Sequence, residues 1–265
     1  MTDLVEKLKE DINKSGLPTE IQLTNMLKQD NWILINQYPF IDQREKKIRT
    51  LDILAGKLFK NGKACILYVE CKKAEDHQWV FYTSRGFGET LSLLLRVAED
   101  AAKRIRTKKK DVKKEGPLYS FHPSYPSDQS MGLISYIPFG KGDDFNVARN
   151  QILSAIESKK LVTSEKLVIY PVIIFNGDIY EVQSKNHDIG LNKTDYIVFL
   201  SPMISDITPI LIDVVTLRSF PSYLNRLSEE LGPSYSFAEI GELISKGVRM
   251  LQDFAQAIAN ARASS

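Results

Sequence analysis

Ala64-Cys65-Ile66-Leu67-Tyr68-Val69-Glu70-Cys71-Lys72-Lys73 decides how the rest of this chain is read. It begins as an apolar run rich in strand formers and ends in Glu70 and Lys72, with Cys71 between them. Successive side chains on a strand point to opposite faces, so Glu70 and Lys72 share one face, about 7 Å apart at their Cα atoms. Cys71 points the other way, where a small apolar residue suits a core-facing slot. A carboxylate and an ammonium therefore leave together from the end of a buried strand. Glu-x-Lys alone is an ordinary tripeptide. Glu45-Lys46-Lys47 and Glu157-Ser158-Lys159 repeat it with no strand-like run before them. What precedes residue 64 must give the motif its meaning.

Upstream, Leu4, Val5, Leu8 and Ile12 fall at helical spacing, and Ser15-Gly16 ends that helix. Pro18 suits the first turn of a second helix that runs to about Lys28, with Glu20 in its first turn. A carboxylate there is favoured by the helix dipole alone, by about 0.3–1 kcal/mol. Trp32–Asn36 and Ile48–Ala55 read as strands, joined by the charged segment 42–47. Asn61-Gly62 is a turn signal between the second strand and the third, which is the opening stretch. Three strands with short links predict an antiparallel meander. Asp52 is the anomaly of the second strand. Its neighbours Leu51, Ile53, Leu54 and Ala55 are apolar, and a carboxylate among them needs a solvent face, a partner or a metal.

Composition narrows the class. The 265 residues are 43% hydrophobic and 26% charged, which predicts a soluble globular chain, and we expect a single domain over 1–265. No apolar run approaches the roughly 18 residues of a membrane span. The charged start is not a signal peptide. Cys65 and Cys71 are the only cysteines, and their spacing on one strand suits neither a disulfide nor a zinc motif. A reduced, cytoplasmic protein is the expectation. The net charge of +2 hides an asymmetry: residues 1–116 carry 23 Lys and Arg against 17 Asp and Glu, whereas residues 117–265 carry 12 against 16. A polyanionic partner fits the basic half.

Beyond Lys73, Leu91 to Ile105 form an apolar stripe at helical spacing that runs into eight Lys or Arg within residues 103–114. Such a run is either a solvated helix end or, through Lys108, Lys109 and Lys110, a set of phosphate contacts. Residues 118–126, rich in aromatics and prolines, are either a contact loop or core packing. Leu133–Ile137 reads as a strand and Val147–Ile156 as a helix. Val168–Phe175, the Asn176-Gly177 turn and Ile179–Val182 read as a hairpin, with Pro171 marking an edge or bulge. Tyr196–Leu200 and Ile210–Val215 add strands, and Ser236 with Glu239 forms a capping box before a helical tail. These elements predict an α/β fold, a mixed central sheet flanked by helices. His77, His122 and His187 lack metal-ligand spacing, and no Gly-rich phosphate loop is present.

Glu20 in a helix, Asp52 in a strand and Glu70-x-Lys72 in the next strand, 18 positions on, appear in the order helix, strand, strand, strand, helix. This resembles the PD-(D/E)xK, or restriction-endonuclease-like, nuclease superfamily, over about residues 16–105, with the remainder as a C-terminal extension. One departure is visible: Leu51 stands where the motif is named for a proline. The resemblance implies a Mg2+-dependent deoxyribonuclease, an endonuclease, with Mn2+ as a substitute. It implies Asp52 and Glu70 as metal ligands with the Cys71 backbone carbonyl as a third, Lys72 orienting or deprotonating the water, and Glu20 serving a second metal or a metal-bound water. Gln78 and Trp79, just after the motif, are expected substrate contacts. DNA is the expected partner, with RNA and a homodimer left open. The alternative is a non-catalytic nucleic-acid-binding or assembly module that keeps the fold.

Overall fold

The computed structural model describes residues 2–73, 78–84, 131–138, 144–158, 167–185, 188–201, 210–246 and 249. The helix expected over 91–105, the basic run with Lys108, Lys109 and Lys110, and the aromatic stretch 118–126 lie outside these residues.

Two helices open the chain, α1 (Thr2–Lys14) and α2 (Leu17–Gln29). Pro18 sits in the first turn of α2, and Leu23 and Leu27, one turn apart, are fully buried. On α1 the apolar positions Leu4, Val5, Leu8 and Ile12 are exposed. The meander follows as β1 (Ile33–Asp42), β2 (Lys47–Leu58) and β3 (Ala64–Lys73), antiparallel throughout. Gly62 takes the left-handed conformation at φ +79° that closes the β2–β3 turn. Asn61 fixes the same turn by accepting from Lys63 N at 3.0 Å and donating to Leu231 O at 2.7 Å.

The remaining elements are β4 (Trp79–Ser84), β5 (Met131–Pro138), α3 (Asp144–Ser158), β6 (Leu167–Asn176), β7 (Ile179–Lys185), β8 (Asp188–Thr194), β9 (Tyr196–Ser201), β10 (Ile210–Thr216) and α4 (Phe220–Leu231). Residues 237–246 are also helical, and Ser236 and Glu239 make the capping box, with Ser236 N donating to Glu239 Oε2 at 2.8 Å. The ten described strands form one sheet in the order β1-β2-β3-β6-β10-β9-β5-β4-β7-β8. The sheet is mixed: β3–β6, β6–β10, β5–β9 and β4–β7 are parallel and the other pairings antiparallel. One core packs α2 and α4 against Val69, Cys71, Val172 and Ile174. The other packs α3 against Tyr68, Ile169, Ile173 and Phe175. The fold is therefore α/β, a mixed sheet with helices on both faces.

One expected pairing is wrong. Asn176-Gly177 does not close a hairpin, because β6 lies between β3 and β10 while β7 lies between β4 and β8. The reason is in β6 itself, whose residues 168–175 are all buried. A strand buried on both faces belongs at the centre of a sheet, where both of its edges are already taken by parallel neighbours. Pro171 is tolerated there because β10 joins β6 only from Val172 onward, so its missing N–H leaves no bond to β10 unmade. Three elements, β4, β8 and α4, lie outside the sequence expectations. For α4 the signal is present: Phe220, Tyr223, Leu224, Leu227 and Leu231 form one buried stripe, with Pro221 at its start and Gly232 after its end.

Candidate active site

The site is a break in the meander. The β1–β2 ladder pairs Asn36 with Ile53 and Tyr38 with Leu51, yet passes over Gln37, which stands opposite Asp52 with φ +49°. On its other side β2 stays paired with β3 only as far as Ile53↔Val69. Asp52 is thus the point where β2 parts from β3 and misses a single pair with β1. Side chains replace the missing ladder bonds. Cys71 N donates to Asp52 Oδ2 at 2.7 Å, and Asp52 N lies 3.4 Å from Glu70 Oε1. Lys72 Nζ stands 3.4 Å from Glu70 Oε2. Asp52, Glu70 and Lys72 are therefore brought together, on adjacent antiparallel strands.

Glu20 joins them from above the sheet edge. Gln37 Nε2 donates to Glu20 Oε2 at 2.8 Å. The helix that carries Glu20 is tied down by Asn176 Nδ2 donating to Thr19 Oγ1 at 3.0 Å, and by Thr24 Oγ1 donating to Asn36 Oδ1 at 3.3 Å. Lys73 Nζ also donates to Asn13 O, which anchors the end of β3 to the end of α1.

The electrostatics follow from burial. Glu70 is 0% exposed, and this burial, with the Asp52 charge adding to it, pushes its carboxyl up to about 8 against the pull of Lys72. Burial also raises Asp52, tempered by the Cys71 N–H, Lys72, Glu70 and Gln37. Glu20 is raised by burial and by Asp52, against Gln37 and Lys72. Three carboxylates thus face a single ammonium, and all the carboxyl donors are hard oxygens. Among the described residues no three His, Cys, Asp or Glu side chains converge to hold an ion by themselves. Two carboxylates with water and substrate oxygens are nonetheless the usual way a protein holds Mg2+, so the donor set fits that cation.

The other expected site residues divide. Cys71 turns its thiol into the core, where burial raises it well above the usual range, and its amide serves Asp52. Gln78 is exposed, one residue before β4. Trp79 belongs to the core. It is 0% exposed, stacked on Phe175 at 4.0 Å and edge-on to Phe145 at 5.4 Å, because β4 feeds the core around α3. Lys108, Lys109 and Lys110 lie outside the described residues. Gln37 went unforeseen, since nothing local in Asn36-Gln37-Tyr38 signals a left-handed residue within a strand.

A second buried carboxylate lies apart from this cluster in the strand order. Asp213 on β10 accepts from Tyr196 OH at 2.7 Å and from Tyr223 OH at 2.6 Å, and the Arg226 guanidinium stacks 4.2 Å from the Tyr196 ring centre. No family model, characterised protein or solved structure matches this chain.

Proposed function

We propose that this chain is a divalent-metal-dependent nuclease with a restriction-endonuclease-like core, acting on DNA. The observation that carries this reading is the meeting of Asp52, buried Glu70 and Lys72 where β2 parts from β3. Burial of mutually repelling carboxylates is unfavourable unless something positive joins them, and Lys72 alone leaves negative charge over. Asp52 and Glu70 would hold Mg2+ or Mn2+, with Glu20 serving a second ion or a bound water, and such a cation supplies charge neutralisation at the phosphate and a more acidic water. Lys72, half-buried beside Glu70, holds a positive charge where it can orient the attacking water and meet the charge growing on the phosphate. The burial of Glu70 and of the strand behind it keeps these groups fixed.

One observation favours the non-catalytic alternative: no three ligating side chains converge among the described residues. The deciding experiment incubates the protein with plasmid, linear duplex, single-stranded DNA and RNA, with and without Mg2+. Mg2+-dependent DNA cleavage that disappears in Lys72→Ala is the expected result. Binding without cleavage under all conditions would leave a nucleic-acid-binding module.

A further inference from the structure

Among the described residues, three non-glycine residues have left-handed backbone, Asn31, Gln37 and Lys46. Asn31 and Lys46 lie in turns, where that conformation is ordinary. Gln37 lies inside β1, with regular pairs resuming on each side at Asn36↔Ile53 and Tyr38↔Leu51. A long side chain in that conformation within a strand is strained, and strain of this kind persists only where its surroundings enforce it. Here the distortion falls opposite Asp52 and sends the Gln37 amide to Glu20 Oε2 at 2.8 Å.

We propose that Gln37 is a positioning residue that holds Glu20 on α2 and Asp52 on β2 in one ligand set, an inference that rests on the nuclease reading above. The primary amide has two N–H donors. One is used on Glu20, and the residue itself stands opposite Asp52 between two regular pairs of the β1–β2 ladder. Its neutrality is the point. A lysine or arginine could hold both carboxylates, but its charge would compete with a bound cation. A glutamine fixes their directions and leaves their charge available. Groups that orient metal ligands in this way are worth about 10–100-fold in metal affinity or activity.

Gln37→Gly tests the role, because glycine accepts the left-handed backbone without strain and removes the side chain that carries the amide. Mn2+ affinity is measured by calorimetry, melting temperature without metal by circular dichroism, and cleavage by gel assay. The expected result is a melting temperature equal to or above that of the parent, with Mn2+ affinity and cleavage both lowered about 10–100-fold. Gln37→Lys, which keeps the reach and adds a charge, should lower Mn2+ affinity at least as far. Gln37→Gly with parental affinity and cleavage overturns the positioning role alone. So does a melting temperature that falls in step with affinity, which marks a structural residue. A parent protein that holds no Mn2+ and cleaves nothing overturns the nuclease reading, and the role of Gln37 with it.

Discussion

Glu70 and Asp213 are both buried carboxylates on strands inside the sheet, and the protein treats them in opposite ways. Each oxygen of Asp213 takes a tyrosine hydroxyl within 2.7 Å, with a guanidinium stacked on the same tyrosines. Glu70 has an amide at 3.4 Å, an ammonium at 3.4 Å, and a second carboxylate, Asp52, opposing its ionisation. Burial is common to both; what differs is whether the charge is satisfied. A satisfied buried carboxylate holds the fold together, whereas the under-satisfied one is what the proposed function reads as a ligand for a cation.

The comparison breaks most sharply in activity. Asp52→Ala and Lys72→Ala should each reduce cleavage to below about one thousandth of the parent rate. They should separate in metal binding: Asp52→Ala loses Mn2+ affinity in calorimetry, and Lys72→Ala retains at least one ion. Both should keep the parent circular dichroism. A Lys72→Ala variant that cuts at the parent rate would make Glu70-x-Lys72 an ordinary strand end. At the other carboxylate, Asp213→Ala should leave Mn2+ affinity unchanged and destabilise the protein by about 3 kcal/mol in urea titration, because two buried tyrosine hydroxyls lose their acceptor and Arg226 loses a neighbouring negative charge.

Acidity sharpens the contrast further. Folded Glu70 keeps its proton up to about pH 8, while the unfolded chain releases it near the ordinary value of 4.5. The folded state therefore binds more protons across that window, and stability from this group is full below it and lost as pH rises through it. Metal-free protein should lose on the order of a few kcal/mol between about pH 5 and about pH 9. Glu70→Gln should flatten that fall, and Mn2+ should oppose it by binding the ionised form. A parent and Glu70→Gln pair with identical pH–stability curves would show that Glu70 titrates normally. The smallest effect is expected for Tyr196→Phe, which removes one of two hydroxyls from Asp213 and should cost about 1–2 kcal/mol in urea titration without altering metal binding.

Much of this was legible before any coordinates. The meander, its Asn61-Gly62 turn and the meeting of Asp52 with Glu70 and Lys72 follow from local apolar runs and turn residues, which act over a few positions. The fate of Val168–Phe175 was legible as a strand and misread as half of a hairpin, because an Asn-Gly turn says where a chain reverses and nothing about which edges are already occupied. Trp79 follows the motif directly and so suggested a contact, but burial is decided by Phe145 and Phe175, both distant in sequence. The left-handed backbone of Gln37 falls opposite Asp52 and bonds Glu20, both distant in sequence, and carries no local signature.

The parallel pairing of β3 with β6 has a consequence for the order of assembly. It joins Glu70 to the level of Ile173, and Ala64 to that of Leu167, across more than a hundred residues of chain. The meander that carries Asp52 and Glu70 closes through short turns and can form quickly, whereas β6 must find β3 across a long stretch of chain before it docks. Asn176, which pins the helix bearing Glu20, arrives with that late strand. During folding the two sheet carboxylates are therefore placed side by side while water still screens them. They are desolvated only when β6 seals the layer behind them, and it is at that step that Glu70 takes up the proton it keeps in the folded state.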